Sequence, residues 1–367
     1  MTASSRTRIP FNTLVPVDDR RVIASAIDRV IARGWFVLGP EVDAFEQEFA
    51  AAIGAGYAVG VGSGTDAIAL TLRALDIGPG DEVVTTPLSA AYSALAIVMA
   101  GARPIFADIH PDRLTLDPAA TEAAVTSRTR AILPVHLYGQ AADMRALEAI
   151  AARHHLAIIE DACQAHLATA EGRSVGTIGI AGAFSFYPTK NLGALGDGGA
   201  VTTSDRQLAD RIRRLRNGGQ TSRYHHQEPG ANSRLDELQA AVLRARLPFL
   251  HRWTERRRSI AARYRRELLN PRITVPPAYD EGHVYHLFPV LCPARDSLQR
   301  HLKAEGIETL IHYPVPIPRQ PALAAAAPGE CPIADRVCAQ VLSLPIYPSL
   351  TDEDASFVAS TMATFQD

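Results

Sequence analysis

From about residue 57 to residue 216, short apolar runs rich in β-branched residues alternate with longer stretches of helical periodicity, and this alternation constrains the fold more than any other feature. A parallel strand reaches its next parallel neighbour only through a long crossover, so the pattern implies βαβ units and a mainly parallel sheet. Strands are expected at 81–86, 104–107, 131–136, 157–161, 183–187 and 199–203, with helices at 66–75, 89–100, 144–154 and 207–216. Upstream, Val22, Ile23, Ala26, Ile27, Val30 and Ile31 recur at helical spacing until Gly34, which marks a first amphipathic helix. An Arg-rich helical segment from Ser233 to Leu269, broken at Pro248, closes the first unit. A smaller αβ unit follows, with a strand at 284–291, a helix at 297–306 and a Pro-rich loop at 313–321. The chain is accordingly divided into a large domain, 1–248, and a small C-terminal domain, 249–367.

Charge narrows the classes of partner. Lys and Arg number 37 against 39 Asp and Glu, a near balance that argues against nucleic acid or a membrane surface, because both recruit an excess of cations. The run Arg244, Arg246, Arg252, Arg256, Arg257, Arg258, Arg263, Arg265 and Arg266 is interleaved with Glu255 and Glu267, and is expected to be a solvated helix face. The segment Met1–Arg6 leads into no apolar stretch of the signal-peptide kind, so a cytoplasmic protein is expected. Cys163, Cys292, Cys331 and Cys338 are too few and too irregular for a disulfide framework or a zinc site, so they are expected as reduced thiols with no bound metal.

Three segments carry chemistry. Lys190 follows a β-run and precedes the glycine-rich stretch Gly193–Gly199, which suits a lysine that forms a Schiff base on a rigid edge. Asp161 ends the run Ala157–Asp161, at the carboxyl end of a parallel strand, where open α/β sheets place ligands. A carboxylate there can keep a pyridine nitrogen protonated; it can also simply cap the segment that follows. Val61-Gly62-Ser63-Gly64-Thr65-Asp66-Ala67 joins a β-run to a helix, and its glycines admit an anion to the backbone amides. It fits neither a Walker A loop nor the three-glycine dinucleotide fingerprint. In this order and spacing, the three describe a pyridoxal phosphate site on the aspartate-aminotransferase fold (fold type I), an α/β architecture with a large mixed sheet and a small αβ domain.

Further motifs extend the pattern over nearly the whole chain: Gly34-Trp-Phe-Val-Leu-Gly-Pro-Glu-Val42, Gly78-Pro-Gly-Asp-Glu-Val83, Pro134-Val-His-Leu-Tyr-Gly139, Glu160-Asp-Ala-Cys-Gln-Ala-His166, Asn232-Ser-Arg-Leu-Asp-Glu-Leu-Gln239 and His312-Tyr-Pro314. On these the chain closely resembles the DegT/DnrJ/EryC1/StrS family of sugar aminotransferases. The resemblance implies pyridoxal 5'-phosphate as cofactor, with Lys190 as its covalent anchor and proton carrier, Asp161 on the pyridine nitrogen and Gln164 near the ring hydroxyl. It places Gly64, Thr65, Asp66 and Ser185 on the phosphate. It adds Asn232 from a neighbouring subunit, hence a homodimer with shared active sites. Tyr92, Tyr187, His312 and Tyr313 are candidates to face substrate, while His136, His166 and Arg234 are expected to be structural.

Two departures from the family stand out. Ala90 occupies the place of an aromatic residue that stacks on the ring, with Tyr92 two residues on, and Pro318 stands where relatives carry a histidine. The function expected is amino transfer from an amino acid, L-glutamate first, to a keto carbon of a nucleotide-linked deoxysugar. A dTDP-3-keto-6-deoxyhexose is favoured over a 4-keto substrate. Lys190 argues against a sugar dehydratase, and the intact cofactor motifs argue against a non-catalytic regulatory protein of the same fold.

Overall fold

The computed structural model describes residues 9–14, 18–326 and 329–366. The segment Met1–Arg6, used above for localisation, lies outside them. Among the described residues no helix is long and apolar enough to cross a membrane.

Seven strands form one sheet: β1 (Tyr57–Val61), β2 (Glu82–Thr85), β3 (Arg103–Phe106), β4 (Thr129–Leu133), β5 (Ala157–Asp161), β8 (Ala181–Ser185) and β9 (Gly199–Thr203). Two short hairpins lie outside it, β6 (Thr169–Ala170) with β7 (Arg173–Ser174), and β10 (Gln220–Ser222) with β11 (His225–His226). The order is β1-β9-β8-β5-β4-β2-β3, and only β9 runs against the rest. This is the large mixed, mainly parallel sheet that the alternating pattern implies.

Helices α3 (Gly64–Ala74), α4 (Tyr92–Met99), α5 (Pro118–Ala123), α6 (Met144–His154) and α7 (Arg206–Leu215) connect or flank the strands. Two large apolar clusters form the core of this unit. One gathers Val59, Leu72, Ile97, Leu133, Val201 and Ile212, the other Phe45, Phe49, Ile132, Leu147, Phe184 and Phe186.

α1 (Arg20–Arg33) ends at Gly34, whose φ of 68° is the left-handed cap that glycine supplies cheaply. It buries Ile23, Ala26 and Val30, while Val22 and Ile31 stay exposed, so the apolar stripe is narrower than the sequence suggests. α2 (Pro40–Ile53) begins against α8 (Glu237–Arg246). The Glu237 carboxylate there accepts hydrogen bonds from the amides of Gly39, Glu41 and Val42 at 2.8–3.0 Å and so satisfies donors that no helical carbonyl reaches.

A second αβ unit pairs β12 (Phe288–Leu291) with β13 (Val341–Leu344) among α9 (Leu250–Glu267), α10 (Arg295–Ala304), α11 (Pro332–Gln340) and α12 (Asp352–Ala363). Its core joins Ile260, Tyr264, Phe288, Leu302, Leu344 and Met362 with Ile9 from the N-terminal segment. Leu250, at the start of α9, packs in the core of the large sheet. The strand expected at 284–291 is only half formed. Val284 and Leu287 donate instead to the carbonyls of Gly139 and Tyr138, while the carbonyls between are taken by side chains. The Arg-rich segment also departs from expectation: Arg246 and Arg257 are buried rather than solvated.

Candidate active site

The carboxyl ends of β5 and β8 and the N-terminus of α3 converge on one cavity of about 710 Å3. Gly64, Thr65, Tyr92, Asp161, Gln164, Ser185, Tyr187, Lys190, His312 and Tyr313 line it. Of the residues singled out from sequence, Asp66 and Asn232 do not. The Asp66 carboxylate accepts from the Ser233 hydroxyl at 2.8 Å, and Asn232 is exposed outside the cavity. His136 and His166 are fully buried elsewhere, His136 within 3.0 Å of Glu160. Ala90 and Tyr92 both stand on the cavity wall, whereas Pro318 is buried away from it.

Asp161 is positioned by its backbone and by both oxygens. Its amide donates to Pro134 and its carbonyl accepts from His136, which fixes the strand end. Its Oδ2 accepts from the Ser93 hydroxyl at 2.6 Å and its Oδ1 from the Cys163 amide at 3.1 Å. The carboxylate, 5% exposed, is thus held in one rotamer by two donors. Gln164 is fixed likewise, its Oε1 accepting from the Tyr138 amide at 2.8 Å and its Nε2 donating to the Tyr313 hydroxyl at 3.1 Å.

Lys190 sits on a closed loop that leaves β8 and returns to β9. Its amide donates to Tyr187, and Ala194 donates back to Phe186. Gly193 is obligatory in this loop, since a Cβ there would lie 2.5 Å from the Pro188 carbonyl oxygen. Burial lowers the Lys190 pKa, because a desolvated ammonium loses its hydration, while Cys163 and Asp161 oppose the shift. The same environment holds the Cys163 thiol well above its ordinary value. Burial likewise brings His312 to about 4 and so keeps it neutral at physiological pH.

Ser63 caps α3 by accepting from the Asp66 amide at 3.1 Å. The amides of Gly64 and Thr65 precede the first intrahelical bond, and the helix dipole adds positive potential there. A Cβ on Gly64 would stand 2.6 Å from Cys163 Sγ and 2.8 Å from Ser185 Cβ, so only glycine lets the helix end reach the strand ends. An anion-binding helix end, a hydroxyl beside it, a lysine and a fixed carboxylate in one cavity match the functional groups of pyridoxal phosphate in kind. Gly64→Ala is expected to displace the helix end, lowering fold stability by about 1–3 kcal/mol and weakening cofactor binding at least about tenfold. Thermal unfolding with and without added cofactor measures both; identical curves for variant and parent would contradict this packing.

Sequence reasoning missed Ser93, Cys163 and His286 on the cavity wall. Ser93 lies two residues past a loop, with nothing local to announce its contact with a carboxylate 68 positions away.

The model of the DegT/DnrJ/EryC1/StrS aminotransferase family matches residues 18–363. The chain belongs to this family. Like other DegT/DnrJ/EryC1/StrS aminotransferases, it is a pyridoxal phosphate enzyme of fold type I. It is 51% identical over 349 residues to the dTDP-3-amino-3,4,6-trideoxy-alpha-D-glucose transaminase of Streptomyces venezuelae, covering 94% of this chain and 92% of that one. The crystal structure of S. venezuelae DesV in complex with a ketimine intermediate superposes with a TM-score of 0.95 at 49% identity, over 97% of this chain and 98% of the other. Bacillus subtilis NtdA, solved with bound cofactor PMP, gives a TM-score of 0.91 at 31% identity, over 99% of this chain and 86% of that one.

Proposed function

We propose that this aminotransferase moves the amino group of L-glutamate to the C3 keto carbon of a dTDP-linked 6-deoxyhexose, working in the cytoplasm as a homodimer. The observation that carries the reading is the single cavity that joins Lys190, Asp161, Gln164, Ser185 and the α3 N-terminus. The 3-amino dTDP-sugar named for the S. venezuelae relative supports the choice of carbon and nucleotide.

When bound, pyridoxal phosphate supplies an electron sink for the carbanion at the amine-bearing carbon. The chain's own residues do the rest. Gly64, Thr65 and Ser185 would hold the phosphate, and Asp66, bonded to Ser63 and Ser233, would fix the first turn of α3 that presents those amides. Asp161 would keep the pyridine nitrogen protonated, and Gln164 would stand by the ring hydroxyl. Lys190 Nζ would anchor the cofactor and, as a free amine, would carry a proton to and from the substrate carbon, a task eased by its lowered pKa. Tyr92, Tyr187, His312 and Tyr313 face the substrate, and Tyr187 and Tyr92 are still half exposed in the single chain.

A surface patch supports the dimer. Trp35, Phe36, Val37 and Leu195 are 40–53% exposed and sit together at the start of α8, tied there by the Glu237 amide to Phe36 and the Leu195 amide to Gln239. Exposed Asn232 lies on the chain just before this helix, free to reach a partner's phosphate. We also place the domain division near residue 248, where the chain passes from α8 into α9.

An absorbance spectrum of the protein with pyridoxal phosphate, before and after L-glutamate, tests the donor half. A panel of 3-keto and 4-keto dTDP and UDP sugars tests the acceptor half. Bleaching by glutamate, reversed by a 3-keto dTDP sugar, is expected. Reversal only by a 4-keto sugar would move the regiochemistry, and an unaltered spectrum would overturn the reading.

A further inference from the structure

The arginine run of α8 and α9 is only partly used as surface. Arg246 and Arg257 stand in the wall of a second cavity of about 390 Å3 that shares Asn12, Thr189 and Lys190 with the first. Most charges around this cavity are paired within the chain. Arg246 Nε donates to Asp19 at 2.7 Å, and Arg252 donates to Asp18 at 2.7 Å.

Arg257 has no such carboxylate. It is 4% exposed and makes no ion pair among the described residues. Its Nη1 donates to the carbonyl oxygens of Tyr285, His286 and Ile346, the last at 2.6 Å, and its Nε has no hydrogen-bond partner. Backbone carbonyls satisfy donors but cannot neutralise a guanidinium, and a buried charge without a counter-charge is costly. Burial pushes its pKa down to about 10, which still leaves it protonated at neutral pH. His286, whose carbonyl takes one of these bonds, lines the first cavity, and burial and then the charges of Lys190 and Arg257 hold its imidazole neutral. The second cavity, whose wall also carries Asp18 and Asp19, therefore holds a guanidinium without a counter-charge of its own and reaches Lys190.

We propose that this cavity is the carboxylate subsite of the amino donor, in which Arg257 binds a donor carboxylate while the donor's amine is presented at Lys190. The inference rests on the proposed transamination and adds where the donor is held. A catalyst that serves two unlike substrates at one reacting centre faces a conflict, because a wall shaped for a bulky nucleotide sugar grips a small amino acid poorly. Separate anchors remove it: the sugar uses the first cavity, and a small anionic donor uses the second.

Two variants test this in the holoenzyme, with the half-reactions followed separately by absorbance. Arg257→Lys keeps the charge but loses the planar fork. Ser349→Phe, at an exposed position on the cavity mouth, narrows the space without touching the contacts of Arg257. Both are expected to raise the half-saturating L-glutamate concentration at least about tenfold, and to move the acceptor half-reaction with a keto sugar less than about twofold. Calorimetric titration with glutarate, which has two carboxylates and no amine, is expected to show binding that both variants weaken. L-Alanine separates the two possible contacts: an equal loss with alanine assigns Arg257 to the α-carboxylate, and a loss confined to glutamate assigns it to the distal one. If Arg257→Lys does not fold, Ser349→Phe decides alone. Unchanged glutamate saturation and glutarate binding, or equal losses in both half-reactions, would overturn the subsite while leaving the transamination reading intact. Failure of the parent enzyme to transaminate glutamate would overturn that reading instead.

Discussion

Replacing Lys190 with alanine is expected to lower turnover by about 10⁴-fold or more, since the variant loses both the covalent anchor and the group that relays the proton. Cofactor binding should survive, because the α3 N-terminus, the Ser185 hydroxyl and the Asp161 carboxylate are built from other elements and do not depend on the lysine side chain. Stopped-flow absorbance with glutamate and equilibrium dialysis of the cofactor distinguish the two effects. Near-normal turnover would remove Lys190 from its role. The parent protein offers a companion measurement. Burial favours the neutral amine, so the rate of covalent cofactor attachment is expected to rise with pH and to level off below the 10.5 of an ordinary lysine. A plateau at or above that value would show that the lysine is not desolvated in the working protein.

The second large effect belongs to Asp161→Asn. An asparagine fits the same contacts, its carbonyl oxygen accepting from the Cys163 amide and its amide donating to the Ser93 hydroxyl, which can reverse its direction. What disappears is the negative charge proposed to face the pyridine nitrogen. The donor half-reaction is expected to slow by about 10²–10³-fold with little change in thermal stability. Single-turnover kinetics and a melting curve check both statements, and an undiminished rate would release Asp161 from the assignment.

Legibility in the sequence followed the range of the interactions. β5, β9 and α6 occupy the expected spans because alternation, apolar runs and an Asp cap are local signals. The half strand at 284–287 diverges because its hydrogen bonds go to Tyr138 and Gly139, about 145 positions away, which no window on the sequence contains. The same holds at the site. Lys190, Asp161 and Gly64 are marked by what adjoins them, but Ser93 acquires meaning only once α4 is packed against the end of β5. The Arg-rich segment misleads for a related reason. Helical spacing and interleaved glutamates describe a solvated face, and they carry no sign that Arg257 is captured by carbonyls on a neighbouring loop and on the segment after β13.

One feature of the sheet bears on how the protein is made. Edge strand β1 pairs only with β9, so Tyr57–Val61 has no strand neighbour until Gly199–Thr203 has left the ribosome. The strands β2, β3, β4, β5 and β8, which make up the contiguous parallel layer, are all synthesised by then, whereas β1 waits about 140 residues for its strand partner, roughly 7–28 s at about 5–20 residues per second. Such distant pairing also makes folding slow, and an unpaired strand edge is the part of a nascent chain most open to wrong partners.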